Sequence, residues 1–324
     1  MNRNHLFLLC FLFFTGSSTA VAQPADAYPS RPIRMLVPYP PGGSTDIVAR
    51  GIGVKLAAQL KQQVVIDNRA GSAGNVAHEL TARAAPDGYT LMLAISAMLT
   101  NPAVNPRVTY HPVRDFTPLM LVARSPYRVV IYPGQPANTM QEWVALAKAK
   151  PGSMNYGSAG SGTAVHLAAE LFRIQAGITM THVPYKGSGP ALTDLVAGQI
   201  QMMFVGTLSA APLVKAGRVR ALAVTSLKRR ADAPDLPTLA ETSAPGYEAF
   251  EWFSVFGPAG LPKSIVDRLY GELVKAVNEP DLKERLVTSG MDFVGSTSAE
   301  LGETVKRDFA KWTRVVKETG LKPD

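Results

Sequence analysis

Ile33-Arg34-Met35-Leu36-Val37-Pro38-Tyr39-Pro40-Pro41-Gly42-Gly43-Ser44-Thr45-Asp46 joins a short apolar run to a segment in which Val48, Ile52, Leu56 and Leu60 recur every four residues. A β-type run, a glycine turn and a helical period in that order describe a strand feeding a helix that begins near Asp46. The alternation continues down the chain: a strand over 64–66, a helix over 74–85, a Pro86-Asp87-Gly88 turn and a strand over 90–94. After a crossover near 122–127 come a strand over 129–131, a helix over 140–150 with Thr139 and Glu142 as a capping box, and a strand over 154–156. A second glycine loop then leads into a helix over 164–175, followed by strands over 180–183, 202–204 and 219–224 with a helix near 191–197 between the first two. A proline-rich return over 234–245 precedes two long helical patterns, 263–278 and 298–319, expected to pack back on the first lobe. The pattern predicts an α/β protein with mainly parallel sheets flanked by helices.

The N-terminus decides the compartment. Arg3 and His5 precede an apolar run over 6–14, and Ala20-Val21-Ala22 follows, the layout of a secretory signal peptide cleaved after Ala22. The run is too short to serve as a membrane anchor. Cys10 is the one cysteine of the 324 residues and leaves with the signal, so disulfides, cysteine nucleophiles and thiolate metal sites are excluded from the mature chain. The expected organisation is a signal peptide over 1–22, a first lobe over 23–125, a second over 126–226 and a return to the first over 227–324. A hydrophobic content of 46% and a charged content of 18% describe a well-packed globular protein. The net charge of +8, less the one charge of Arg3, is +7; the cations are spread along the chain, which favours anionic solutes over nucleic acid.

Two segments are candidates for chemistry, and they are physically of one kind. Gly42-Gly43-Ser44-Thr45-Asp46 and Gly157-Ser158-Ala159-Gly160-Ser161-Gly162-Thr163 each join the carboxyl end of a strand to the start of a helix. Free backbone N–H groups and the helix dipole there favour an anion, and the hydroxyls add donors; the competing reading is a pair of plain capped turns. Neither loop is a nucleotide motif, since G-x-x-x-x-G-K-[ST] and G-x-G-x-x-G are both absent. Nor is there a nucleophile elbow, because Ala159 stands where G-x-S-x-G requires serine. His78, His111, His166 and His182 are far apart in sequence, so no metal and no cofactor is expected. His166, near the start of the helix after the second loop, reads equally as ligand contact and as packed histidine. Lys186 reads as a cation for a carboxylate or as a solvated loop lysine. Ser96, Ala97 and Met98 follow a strand end, where open α/β sheets bind ligands.

Tyr28-Pro29-Ser30-Arg31-Pro32, Val37-Pro38-Tyr39-Pro40-Pro41-Gly42-Gly43-Ser44-Thr45-Asp46, Asn68-Arg69-Ala70-Gly71-Ser72-Ala73-Gly74-Asn75, Ala85-Pro86-Asp87-Gly88-Tyr89-Thr90, Val183-Pro184-Tyr185-Lys186-Gly187 and Gly217-Arg218-Val219-Arg220-Ala221-Leu222-Ala223 occur in that order. Together they resemble the tripartite tricarboxylate transporter solute receptors, the TctC-like group that includes the Bug receptors, over nearly the whole mature chain. The resemblance implies a two-lobed periplasmic-binding-protein fold (type II) that holds a small carboxylate in the interlobe cleft. It also implies delivery to membrane transporter subunits or to a sensor kinase, with no nucleic acid and no membrane anchor. Carried over, Tyr39, Pro41, Gly42, Gly43, Ser44, Thr45 and Asp46 form one wall, Ser96 and Ala97 a second. Ser158, Gly160, Ser161, Gly162, Thr163 and His166 form the third, and Lys186 with Gly187 the fourth. One departure stands out: many members carry aspartate where this chain has Val205, so an acidic contact is absent and the wall is more apolar. Met98 and Leu99 point the same way, towards a carboxylate with apolar or aromatic surface. Closure is expected to hinge near 124–127 and 225–228. An envelope hydrolase using Ser158 or Ser161 with His166, and a sensor-adaptor presenting its ligand to a signalling kinase, are the rival readings.

Overall fold

The computed structural model describes residues 28–42, 44–288 and 290–321. The signal peptide, Cys10 and Gly43 therefore lie outside the described residues. The chain opens with β1 (Ile33–Val37), α1 (Ser44–Leu60), β2 (Val64–Asn68), α2 (Asn75–Ala82), β3 (Thr90–Ile95) and α3 (Ala97–Val104). A 16-residue strand, β4 (Phe116–Ile131), leads to α4 (Met140–Ala149), β5 (Asn155–Ser158), α5 (Ala164–Ala176), β6 (Thr181–Pro184), α6 (Ser188–Val196), β7 (Met202–Gly206), α7 (Thr207–Lys215) and β8 (Arg220–Val224). The chain then runs through α8 (Leu239–Thr242), β9 (Phe250–Pro258), α9 (Lys263–Asn278), α10 (Pro280–Thr288), β10 (Asp292–Phe293) and α11 (Ser298–Thr319).

These strands form one continuous hydrogen-bonded path, β2-β1-β3-β9-β4-β7-β5-β6, with β8 and β10 also paired to β4. β1, β2 and β3 are mutually parallel, and so are β5, β6 and β7. β9 is antiparallel to both β3 and β4, and β7 is antiparallel to β4. It follows that β5 to β7 run opposite to β1 to β3, and the carboxyl ends of the two parallel groups face each other across the middle of the sheet. The sheets are thus parallel at their outer parts, as expected, but antiparallel at the centre. The sequence pattern assigns no strand between Pro245 and Lys263, because β9 is a nearly unbroken apolar run, buried on both faces, which shows no period of two.

The strand β4 belongs to both halves. Its partner is β9 as far as Pro126, opposite Phe250, and β7 from Tyr127, opposite Gly206. Such a switch threatens to orphan backbone groups. Pro126 has no N–H to satisfy, and its carbonyl accepts from Thr207 Oγ1 at 3.0 Å. The fully buried Thr225 accepts from the Tyr127 N–H at 2.7 Å and donates to the Ala249 carbonyl at 2.7 Å, tying the outgoing strand to the returning segment.

The helices cover the sheet from both sides. α1, α9 and α10 pack on the first half around Ile52, Leu56, Phe253, Val255, Leu273 and Leu286. α6 covers the second half, around Leu195, Met203 and Val205. The period of four in α1 and the amphipathic stripe of α9 account for those packings. α11 departs from the expectation: it contacts α3 and β4 but also α5, so it spans both halves rather than docking on the first alone. Its anchors Leu301, Val305, Trp312 and Val315 join a core that includes Phe172 and Phe204 of the second half. The capping box at the start of α4 is also only half formed: Glu142 N donates to Thr139, while the Glu142 carboxylate takes the Asn138 N–H instead. Complete boxes stand at Thr238/Glu241 and Thr297/Glu300.

Because Trp312 is 2% exposed, replacing it with alanine removes the anchor shared by both halves. Trp312→Ala is expected to lower the unfolding free energy by about 3–5 kcal/mol in urea titration; a loss below about 1 kcal/mol would show that α11 is not a structural strap.

Candidate ligand-binding site

Three strand-to-helix loops converge where the two sets of strand ends face each other. In the first, β1 ends and Tyr39 to Asp46 enter α1. The Asp46 carboxylate folds back on its own loop: one oxygen accepts from Gly42 N at 2.9 Å and Arg50 Nε at 2.9 Å, the other from Asn68 Nδ2 at 3.0 Å. Burial alone raises its pKa, but the hydrogen bonds from Arg50, Gly42 and Asn68 outweigh that and hold it below the usual carboxylate range. Asp46 therefore braces the loop and withdraws one amide from a ligand. Pro41 and Gly42 are exposed, Tyr39 and Ser44 half-buried, and Thr45 buried.

The second loop joins β5 to α5. Ser158 is buried, and its Oγ bonds the N–H and carbonyl of Gly160 at 3.1 and 3.0 Å as well as His182 Nε2 at 2.7 Å. A serine and a histidine are thus paired, but the hydroxyl is turned into its own loop and away from any open surface. Thr163 Oγ1 donates to Gly160 O at 2.7 Å. His166 is buried: its Nδ1 accepts from Gly162 N at 3.0 Å, and its ring stacks on His182 with centroids 3.7 Å apart and planes 9° apart. Tyr156 lies against both rings and donates to Glu170, which Arg173 grips at 2.7 Å. The packed-histidine reading of His166 is the one its surroundings support. Lys186 is exposed, and Gly187 ties the loop before α6 to the glycine loop by donating to Ala159 O at 3.1 Å.

The third loop was quoted in the resemblance but not placed among the site residues. Gly71, Ser72, Ala73 and Gly74 all have positive φ, at 134°, 47°, 54° and 93°. Four such residues in succession, two of them not glycine, are costly and occur where function over-determines the backbone. Ala73 O accepts from Asn101 Nδ2 at 2.9 Å, which also donates to Asn75 at 2.9 Å. Ser72, Ala73, Asn75, Asn101, Val104 and Asn105 of the first half face Ser161 and Gly162 of the second across a cavity of about 360 Å³. The signal that finds this loop in sequence is the one that finds the other two: glycine and serine between a strand and a helix.

Ser96 stands at the carboxyl end of β3. It is buried, accepting from Trp252 N at 3.1 Å and donating to Phe250 O at 3.2 Å, and so fixes β9 at the cleft. Ala97 beside it is buried. Between those two β9 residues lies Glu251, which the sequence analysis does not single out. Its side chain keeps some exposed surface, and desolvation pushes its pKa up to about 7. Val205 calls for a correction: it is fully buried in the core against α6, as Met98 and Leu99 are in theirs. None of the three provides an apolar cleft wall, and the expectation of an apolar or aromatic ligand loses its basis. A larger cavity, about 950 Å³, lies between α11 and β4/β9, lined among others by Phe116, Arg124, Trp252 and Lys311. None of the three glycine loops lines it.

A sequence model described as the tripartite tricarboxylate transporter family receptor matches residues 48–321. The chain belongs to that family. Among related receptors, a Pseudomonas sp. (strain P51) protein named for the tcbD-tcbE intergenic region is 41% identical, covering 96% of this chain and 92% of that one. Protein BugT of Bordetella pertussis is 33% identical with 99% of each covered. The structure of R. palustris Rpa4515 with adipate matches at 34% identity and a TM-score of 0.81, covering 92% of this chain and all of the other. MatC from Rhodopseudomonas palustris with bound malate matches at 30% identity and 0.77, covering 89% and 100%. The family is one of periplasmic binding proteins, and the two-lobed periplasmic-binding-protein fold is shared. No helix among the described residues is long and apolar enough to cross a membrane.

Two outcomes follow from this receptor's geometry. A Cβ on Gly162, whose φ is +75°, would lie 3.1 Å from Val104 across the cleft, whereas Gly152, at +76°, has no atom within 4 Å. Both alanine variants carry a left-handed strain of about 1–2 kcal/mol; Gly162→Ala is expected to lose more, and Val104→Ala to recover the excess in a double-mutant cycle. An equal loss in the two variants would show that the loops do not touch. For Glu251, the folded pKa of about 7 exceeds the ordinary 4.5. Its stabilising contribution is therefore fully present below pH 4.5 and lost as pH rises through about 7. Glu251→Gln should match the parent near pH 4.5 and melt at higher temperature than it at pH 8; parallel melting curves across that range would refute the burial.

Proposed function

We propose that this chain is a periplasmic solute receptor that captures a small carboxylate between a first lobe (23–125 with 227–324) and a second lobe (126–226) and hands it to a tripartite membrane transporter. Residues 1–22 direct export and are removed by cleavage after Ala22. The observation that carries the reading is the convergence of glycine-rich strand-to-helix loops from both halves on one cavity, because backbone N–H groups at helix starts favour an anion. The adipate and malate held by the two structural relatives support the same ligand class. Binding needs no covalent step: the lobes close by bending at 124–127 and 225–228, where β4 changes partner, and the ligand shifts that equilibrium by its differential affinity for the closed state.

The test is thermal denaturation of residues 23–324 with adipate, malate, a panel of aromatic carboxylates and the corresponding amides. A bound carboxylate at about 100 times its dissociation constant adds roughly 2.7 kcal/mol of stability, and its amide adds none. Stabilisation by amides as well as acids, or by no carboxylate at all, overturns the reading.

A further inference from the structure

β9 passes the carboxyl end of β3 where the two halves of the sheet meet, and Glu251 lies there. Ile95 of β3 pairs with Phe253, so Glu251 extends two residues past the end of β3 towards the second half, opposite Ser125 of β4 at the crossing. Alternation along β9 sends Phe250 and Trp252 to the α11 side, where Arg124 lies over the Phe250 ring at 4.2 Å and Trp252 lines the larger cavity. Glu251 shares the other side with Phe253 and Val255, the cluster against which Tyr39 of the first loop packs. Burial holds the phenols of Tyr39 and Tyr127 above their ordinary range, and the charge of Glu251 adds to the shift of each. Those two phenols are the titratable groups facing it; Arg124 is on the opposite side of the sheet. Among the described residues no hydrogen bond or ion pair reaches the Glu251 side chain.

The Glu251 side chain is part-exposed, so its carboxylate is open to a partner from outside the protein while having no donor among the described residues within it. The buried acids near the site have donors of their own: Asp46 has Gly42, Arg50 and Asn68, and Glu170 has Tyr156 and Arg173. We infer that Glu251 is a specificity-determining residue that accepts a hydrogen bond from a hydroxyl or amino group carried by the ligand alongside its carboxylate. This rests on the carboxylate-receptor reading and narrows it to substituted carboxylates. The loops hold the anionic end through backbone donors, while Glu251 reads the substituent. A site whose buried acceptor is left unmatched rejects the analogue that lacks the donor more strongly than an apolar pocket distinguishes a methylene.

The experiment is isothermal calorimetry at pH 8 on the mature protein with matched pairs: malate and aspartate against succinate, 2-hydroxyadipate against adipate, and 3-phenyllactate against 3-phenylpropionate. In the parent, the donor-bearing member of at least one pair is expected to bind at least about tenfold more tightly. In Glu251→Ala that preference falls below about threefold, while affinity for the unsubstituted partner stays within about threefold of the parent. Glu251→Gln, which preserves shape and an acceptor oxygen, abolishes preference for the amine but retains part of that for the hydroxyl. Unsubstituted acids binding as well as their substituted partners, or a preference that survives in Glu251→Ala, overturns the inference and leaves the receptor reading standing. Failure of every carboxylate to bind overturns both.

Discussion

A single strand serves two half-sheets, and its change of partner between Pro126 and Tyr127 is the constraint on which the rest depends. A strand cannot leave one neighbour for another without stranding peptide groups unless other groups replace them. Here a proline removes one donor, Thr207 takes the freed carbonyl, and the buried Thr225 hydroxyl joins the Tyr127 amide to the Ala249 carbonyl. The crossing is thereby tied by side-chain hydroxyls together with the backbone bonds from Thr225 N to Tyr127 O and from Ala249 N to Thr225 O, each 3.1 Å.

The same crossing dictates where a ligand can lie. Because β5 to β7 run against β1 to β3, the strand ends and helix starts of the two halves oppose one another, and the loops meet without any side chain being assigned to hold an anion. The polar side chains nearby mostly serve the loops: Asp46 braces the first, Ser158, Thr163 and His166 the second, Asn101 and Asn75 the third. This division leaves backbone amides as the donors on which the proposed anion site relies.

The strand-loop-helix unit at 33–60 was legible because its signals are local: an apolar run, glycines, then a period of four. The two long terminal helices were legible for the same reason, and their limits coincide with α9 and α11. β9 was not, since a strand buried on both faces loses its alternation, and neither was the spanning role of α11, because an amphipathic stripe does not say which surface it covers. Among the expected site residues, Ser161 and Gly162 line the cavity, whereas Val205 is in the core and His166 is packed beneath its loop. Residue type and order suggest that a side chain is near a loop; only its rotation about the strand or helix decides whether it faces ligand or core.

By itself the sequence determined the α/β class, the glycine loops at strand ends and the family, because each is written in contiguous residues and their spacing. The tertiary structure alone decided that β4 is shared, that the third loop with Ser72 and Asn75 faces Ser161, and that Glu251 stands unpaired where the two halves of the sheet meet. Those facts join residues from 79 positions apart (Tyr127 with Gly206) to 124 (Pro126 with Phe250), or depend on which face of a strand is covered, and no local period carries that information.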